Sequence, residues 1–501
     1  MDYRKLQNGS DIRGVALEGI EGQSVNLTEE VCRNIGRGFA LWLHERLGKD
    51  TMRVSVGRDS RLSGEMLAGW LCQAMSRQGV EVVDIGMAST PAMFMSTVAG
   101  EEPYDAAVMI TASHLPFNRN GFKFFTKEGG LEKQDIARIL DYAAGEDVTG
   151  LPETTACSDD FMDEYAAILV SKVRSATGEE RPLEGYKIIV DAGNGAGGFY
   201  VSKVLEPLGA NTEGSQFLEP DGSFPNHIPN PEDAAAMESI KRAVSESKAD
   251  FGIIFDTDVD RAGAVLSDGT ELNRNRLIAM LAAVLLREHP GTTIVTDSIT
   301  STGLAAFIAR RGGIHHRFKR GYRNVINESV RLNAMGQDSQ LAIETSGHGA
   351  LKENYFLDDG AYLITKLLIE LARGKKEGYT LESLIADLAE PVESKELRLN
   401  IIPEDFKFYG QTVLEQLEKY AEGQTGWSVA PDNHEGVRFN LDADHGNGWF
   451  LLRMSLHDPL LPLNIESDEA GGVMKIAKEL APFLLGCDGL DTGTLKKFVE
   501  S

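Results

Sequence analysis

This 501-residue chain has only four cysteines, Cys32, Cys72, Cys157 and Cys487. They stand far apart without metal-ligand spacing. That excludes a disulfide framework, and they read as small core residues of a cytoplasmic protein in a reducing compartment. Apolar runs are short. None approaches the ~18 residues that cross a bilayer, so no membrane span is expected, and Met1–Gln7 lacks the apolar segment of a secretory leader. Positive charge is scarce: 50 Lys and Arg stand against 76 Asp and Glu, a formal net charge of −26. Non-specific nucleic-acid binding needs a basic surface and is excluded. An anionic substrate would need a local cluster of Arg, Lys and backbone N–H groups.

What the chain does have is a repeated plan. Arg53–Asp59, Lys187–Gly197 and Thr293–Gly303 each pass from a short β-branched run into a turn rich in Gly, Asp or Ser, and then into a helical pattern. A second strand follows a glycine in each copy, at Gly79–Ile85, Gly209–Glu213 and Gly313–Phe318. A third follows at Ala106–Ile110, Asp250–Phe255 and Gln340–Ile343. Alternating strands and helices predict α/β architecture with mainly parallel sheets covered by helices on both faces. From about Glu396 the texture changes. A strand at Glu396–Asn400, a helix near Gln411–Glu422, a hairpin of Gly436–Asn440 with Gly448–Met454 and a last helix at Gly472–Leu485 make a smaller α+β domain. The expected fold is three related mixed-sheet α/β domains plus this C-terminal domain around a central cleft, divided at 1–155, 156–272, 273–390 and 391–501.

The loops after the third strands carry the unusual chemistry. The first is Thr111-Ala-Ser-His-Leu-Pro, with Ser113 and His114 just past a strand end and Lys123 returning on a second strand. A serine becomes a nucleophile only if a base takes its proton or a metal stabilises its oxygen. The second is Asp256-Thr-Asp-Val-Asp-Arg261, whose carboxylates at i, i+2 and i+4 share one side of an extended segment. Three hard oxygen donors together suit Mg²⁺. An EF-hand is excluded, because the sixth position holds Arg261 instead of Gly and the twelfth holds Ser267 instead of Glu. The third is Glu344-Thr-Ser-Gly-His-Gly349.

Arg453-Met-Ser-Leu-His-Asp-Pro459 offers a guanidinium, a hydroxyl and backbone N–H groups, the parts of a phosphate clamp. Arg13 lies in a turn between glycines, and Arg58 and Arg61 read as partners of Asp59 or its neighbours. The glycines of Asp191–Gly198 match neither the dinucleotide fingerprint nor a P-loop. They read as a tight strand-to-helix turn.

Taken in order, these motifs resemble the α-D-phosphohexomutase family, which includes phosphoglucomutase and phosphomannomutase, over nearly the whole chain. The resemblance makes Ser113 the phosphoryl carrier, with Lys123, His114 and Arg13 as catalytic companions. Asp256, Asp258 and Asp260 become the Mg²⁺ ligands together with the Ser113 phosphate. Glu344, Ser346 and His348 contact the sugar. Arg261, Arg323, Arg453, Ser455 and His457 bind substrate phosphate or sugar. The implied partners are a hexose phosphate and its bisphosphate intermediate, with no nucleic acid and no membrane, in a monomer or homodimer. Three departures stand out: Leu115 replaces the usual Asn, Leu456-His457-Asp458 replaces the usual residues before Pro459, and Arg323 stands where many members have Lys. They leave the phosphoryl machinery whole and bear on sugar identity and phosphate affinity. Alternatives to a glucose or mannose mutase are a phosphoglucosamine mutase, a metal-dependent phosphatase with a serine intermediate, and a sugar-phosphate sensor, the last suggested by Leu115 and His457.

Overall fold

The computed structural model describes residues 2–49, 51–145, 156–455 and 458–501. The chain divides into two compact units, residues 1–277 with 346–383, and 278–345 with 384–501. Among the described residues no helix is long and apolar enough to cross a membrane.

Two sheets of the first unit position the site. The larger is built on Ala106–Ile110, whose five side chains are all buried. This strand runs parallel to Met52–Arg58, which is parallel in turn to Val80–Met87. On its other side it pairs antiparallel with Arg119–Thr126, which pairs antiparallel with Asp11–Val15. The apolar run with no polar alternation is what a strand covered on both faces requires. Helices Glu29–Leu47, Gly64–Ser76 and Lys133–Ala143 contribute to its core. The first of them starts where Thr28 Oγ1 accepts the Val31 N–H and stops at Gly48, with φ 61°.

The second sheet is smaller. Phe251–Phe255 is parallel to Ile188–Asp191 and antiparallel to Ala262–Leu266. Helix Ala234–Ser247 comes close because Gly252 has no side chain: a Cβ there would lie 2.4 Å from Val244 Cγ2. The strand expected at Gly209–Glu213 reduces to single bridges, Lys187 with Asn211 and Asp191 with Gln216. Asn211 turns its own backbone by accepting the Glu213 N–H, between glycines at φ 98° and 106°. The helix expected after the glycine turn is a short π-helix, Tyr200–Leu205.

In the second unit, Ile314–Arg317, Thr293–Thr296 and Ser339–Ile343 lie side by side and parallel. The C-terminal sheet is wholly antiparallel. Its longest strand, Glu393–Ile401, buries Leu397, Leu399 and Ile401 and exposes the residues between them, the alternation of a strand with one wet face. The expected hairpin forms from Val437–Leu441 and Gly448–Leu452. Gly472–Leu484 is followed by one more helix, Gly493–Glu500, which the sequence reading omitted. Cys157 is exposed and so is no core residue, while Cys32 and Cys72 are buried.

Candidate active site

Ser113 follows the buried strand Ala106–Ile110 in a turn where its backbone takes φ 50°. Its N–H donates to Thr111 Oγ1 at 2.9 Å. A collar closes around the turn: the buried Arg61 guanidinium donates to the carbonyl oxygens of Ser113, Leu115, Pro116 and Arg119. Arg61 also faces Asp59 at 3.5 Å. Four carbonyls on one cation set the loop's shape, and Ser113 Oγ is left facing other groups.

Those groups come from the segment after Phe251–Phe255. Asp256, Asp258 and Asp260 are fully buried, and their carboxylate oxygens gather within 4.8 Å of one another. Their spacing by two predicts an extended segment. The structure makes a turn there, with Val259 at φ 65°, and it is the turn that gathers the carboxylates. Ser113 Oγ donates to Asp256 Oδ2 at 3.0 Å. Lys123 Nζ meets Asp260 Oδ2 at 2.5 Å and Asp258 Oδ2 at 3.7 Å. Thr90 Oγ1 donates to Asp258 Oδ2 at 2.5 Å, and the Thr90 N–H to the Asp258 carbonyl at 2.8 Å.

Burial, then the Asp260 charge, drives the Asp256 carboxyl well above the usual carboxylate range. Burial pushes Asp260 the same way, but Lys123, His348 and Arg261 outweigh it and hold that carboxylate ionised. Asp258 Oδ1 and Asp260 Oδ1 accept no hydrogen bond among the described residues. Buried orphaned carboxylate oxygens are costly, and an all-oxygen donor set this close fits a hard divalent cation.

Arg261 spans the site. Its Nε and backbone N–H hold Asp256 at 3.1 and 3.2 Å. Nη1 donates to Asn230 Oδ1 at 3.0 Å, and Nη2 reaches Ser113 Oγ at 3.1 Å and His114 Nδ1 at 2.6 Å. Because Nη2 donates, His114 Nδ1 accepts. Burial beside Arg261 draws that imidazole down to about 3, so it is neutral. His348 is its opposite. Burial would lower it, but Asp358, with Oδ2 2.6 Å from Nδ1, and Asp260 push it up to about 9. Ser346 is buried in the same unit. Arg13, opposite Gly121 in the sheet, pairs with Asp11 at 2.9 Å.

Three family models match the chain: phosphoglucomutase/phosphomannomutase α/β/α domain I over residues 4–148, domain II over 160–269 and domain III over 273–392. A phosphomannomutase/phosphoglucomutase from Pseudomonas putida is 31% identical over 471 residues, 93% of this chain and 94% of that protein. The chain belongs to the phosphoglucomutase/phosphomannomutase family. A phosphoglucomutase from Neisseria gonorrhoeae is 29% identical over 94% of this chain and 95% of its own length. The crystal structure of a family protein from Burkholderia thailandensis superposes with a TM-score of 0.78 at 28% identity, covering 97% of this chain and 98% of that one.

The second unit of this phosphohexomutase-family chain carries the remaining candidates. Glu344 Oε1 accepts the Gly321 N–H at 2.6 Å. Arg323 sits in the first turn of helix Tyr322–Ala334. Arg453 is buried directly after Gly448–Leu452, and its Nη1 donates to the Met454 carbonyl at 3.2 Å. Burial draws its guanidinium below the ordinary value, opposed by Glu435. The Ser455 hydroxyl accepts the Asp458 N–H at 3.3 Å. His457 lies outside the described residues.

Sequence reasoning missed Thr90, Asn230 and Asp358. Asn230 had a local signal, standing between Pro229 and Pro231. Thr90 and Asp358 had none, since their partners lie 168 and 10 residues away.

Proposed function

We propose that this family member, an isomerase of the phosphohexomutase type, interconverts hexose 1-phosphate and hexose 6-phosphate by way of a phosphoserine at Ser113 and a hexose bisphosphate. The observation that carries the reading is Ser113 Oγ held between Asp256 and Arg261 at the edge of a buried triad of carboxylates. Phospho-Ser113 gives its phosphoryl group to the free hydroxyl of a hexose phosphate. The Ser113–phosphate bond breaks as the sugar–phosphate bond forms, and the proton of that hydroxyl ends on the serine oxygen. The bisphosphate reorients, and its other phosphate returns to Ser113.

Asp256, Asp258 and Asp260 would hold Mg²⁺, which when bound supplies neutralisation of phosphate charge. The chain's own cations do the rest. Arg261 Nη2 and Lys123 stabilise charge developing around the serine oxygen, fixed before the reaction by the carboxylates they pair with. Neutral His114 accepts from Arg261 and adds no competing charge. Arg13 lends positive charge nearby. Glu344, Ser346 and His348 bind the sugar. Arg453, Ser455 and His457 hold the phosphate that stays behind, and Arg323 contacts substrate. The stretches 1–155, 156–272, 273–390 and 391–501 thus supply carrier, metal ligands, sugar contacts and phosphate grip in turn. Names of relatives favour glucose and mannose phosphates as substrates. Free cysteines agree with a cytoplasmic setting.

A coupled assay over glucose, mannose and glucosamine phosphates, with intact-mass analysis of the protein, tests the reading. Turnover of the first two, with one labile phosphate absent from Ser113→Ala, is expected. Hydrolysis to free hexose would make the protein a phosphatase, and binding without turnover would make it a sensor.

A further inference from the structure

The glycine turn Asp191–Gly198 has no ligand fingerprint, yet it is heavily wired. Asp191 Oδ1 accepts the Gly193 N–H at 2.9 Å, and Oδ2 accepts Gln216 Nε2 at 2.7 Å. Both oxygens face His227 Nε2, at 3.0 and 3.1 Å. His227 Nδ1 lies 2.9 Å from the Ile228 carbonyl. Burial opposes protonation of this ring, but Asp191 and the Ile228 carbonyl outweigh it and raise its pKa above the ordinary imidazole value. One residue earlier, Asn226 Nδ2 donates to Asn194 Oδ1 at 2.8 Å. The turn therefore grips two successive residues of the segment Phe224–Pro231. It also backs onto the carboxylate loop: the Ala196 N–H donates to the Thr257 carbonyl at 2.8 Å, and a Cβ on Gly195 would sit 2.7 Å from that oxygen.

Three residues past His227 stands Asn230. Its Oδ1 accepts the Glu232 N–H at 3.0 Å, which fixes the amide, and accepts Arg261 Nη1 at 3.0 Å. Asp256 already holds Nε of the same guanidinium. Asp256 on one side of the planar fork, bonded to Nε and 3.0 Å from Nη2, and Asn230 on the other define its plane, which leaves Nη2 3.1 Å from Ser113 Oγ and 2.6 Å from His114 Nδ1. We propose that Asn230 is a positioning residue for phosphoryl transfer: held by the His227–Asp191 pair, it sets the plane of Arg261 against Ser113. The inference rests on Ser113 being the carrier.

The test compares Asn230→Ala and Asn230→Asp with wild type in steady-state kinetics, in the rate at which hexose bisphosphate phosphorylates Ser113, and in thermal melting. Asn230→Ala withdraws a hydrogen bond to a charged group, so kcat should fall about tenfold or more. Phosphorylation of Ser113 should slow by the same factor while KM for hexose phosphate stays put. Asn230→Asp keeps an acceptor and should restore most of kcat. Should the alanine variant not fold, Asn230→Gln, which displaces the amide by one methylene, reads the same loss. Wild-type kcat in Asn230→Ala overturns the inference, as does a loss that tracks a lowered melting temperature and is not restored by Asn230→Asp. A wild-type protein that never carries phosphate on Ser113 overturns the underlying reading instead.

Discussion

The surroundings of Ser113 in the first unit and those of Arg453 in the second are both buried and both rich in charge, but they are wired differently. Around Ser113 the cations are committed to protein acceptors. Arg261 spends its three nitrogens on Asp256, Asn230, His114 and the serine itself, and Lys123 sits on Asp260. Around Arg453 the described residues supply less. One nitrogen reaches the next residue's carbonyl, and Nε donates no hydrogen bond among the described residues. A centre that transfers a group gains from donors that need no rearrangement during reaction. A site that holds first one phosphate and then another gains from a guanidinium whose bonding is completed by its ligand.

Perturbations should separate the two regions by size. Ser113→Ala removes the hydroxyl proposed to carry the phosphoryl group and should cost roughly a thousandfold or more in turnover, with the labile phosphate gone from the intact mass. Full activity would erase the distinction between the regions. Asp258→Asn keeps shape and removes one charge of the triad. Activity should drop about a hundredfold, with the Mg²⁺ dependence weakened and melting almost unchanged. Loss of fold regardless of added metal would make the triad a structural feature.

Arg453→Ala acts on the other region and should be milder. A charge-assisted hydrogen bond is worth roughly 1.5–3 kcal/mol, which is about a tenfold to hundredfold loss in kcat/KM, together with more bisphosphate released to solution. Unchanged KM and unchanged retention of the intermediate would move the grip to Arg323. The smallest effect belongs to Glu466, beneath the Trp449 indole that donates to it at 3.0 Å. Burial lifts its carboxyl to about 7, against opposition from Arg438. The folded state thus holds this proton more tightly than the unfolded chain. Its stabilising share is complete below the unfolded pKa and is lost as pH rises through about 7. Glu466→Gln should raise the melting temperature by a few degrees at pH 8 and leave it unchanged at pH 4.

Much of this was legible from residue order. Apolar runs such as Ala106–Ile110 and Phe251–Phe255 announced strands, and polar residues directly after them marked the site. The Asp256–Asp260 cluster was legible as chemistry but not as shape, because spacing by two says extended unless the backbone turns left-handed at Val259. Gly209–Glu213 misled for the opposite reason: an Asx turn at Asn211 competed successfully with pairing. Thr90 escaped because its role exists only through Asp258, 168 residues away and brought close by tertiary packing.

The left-handed backbone at Ser113 also bears on how this protein can change over time. Serine tolerates φ 50° at modest cost, whereas a β-branched residue there is a true outlier. Threonine has the same hydroxyl and is the obvious neighbour in chemistry, yet Ser113→Thr would have to unwind the turn that Arg61 grips. The geometry of the loop, more than the reactivity of the oxygen, closes that mutational path and keeps a serine at position 113.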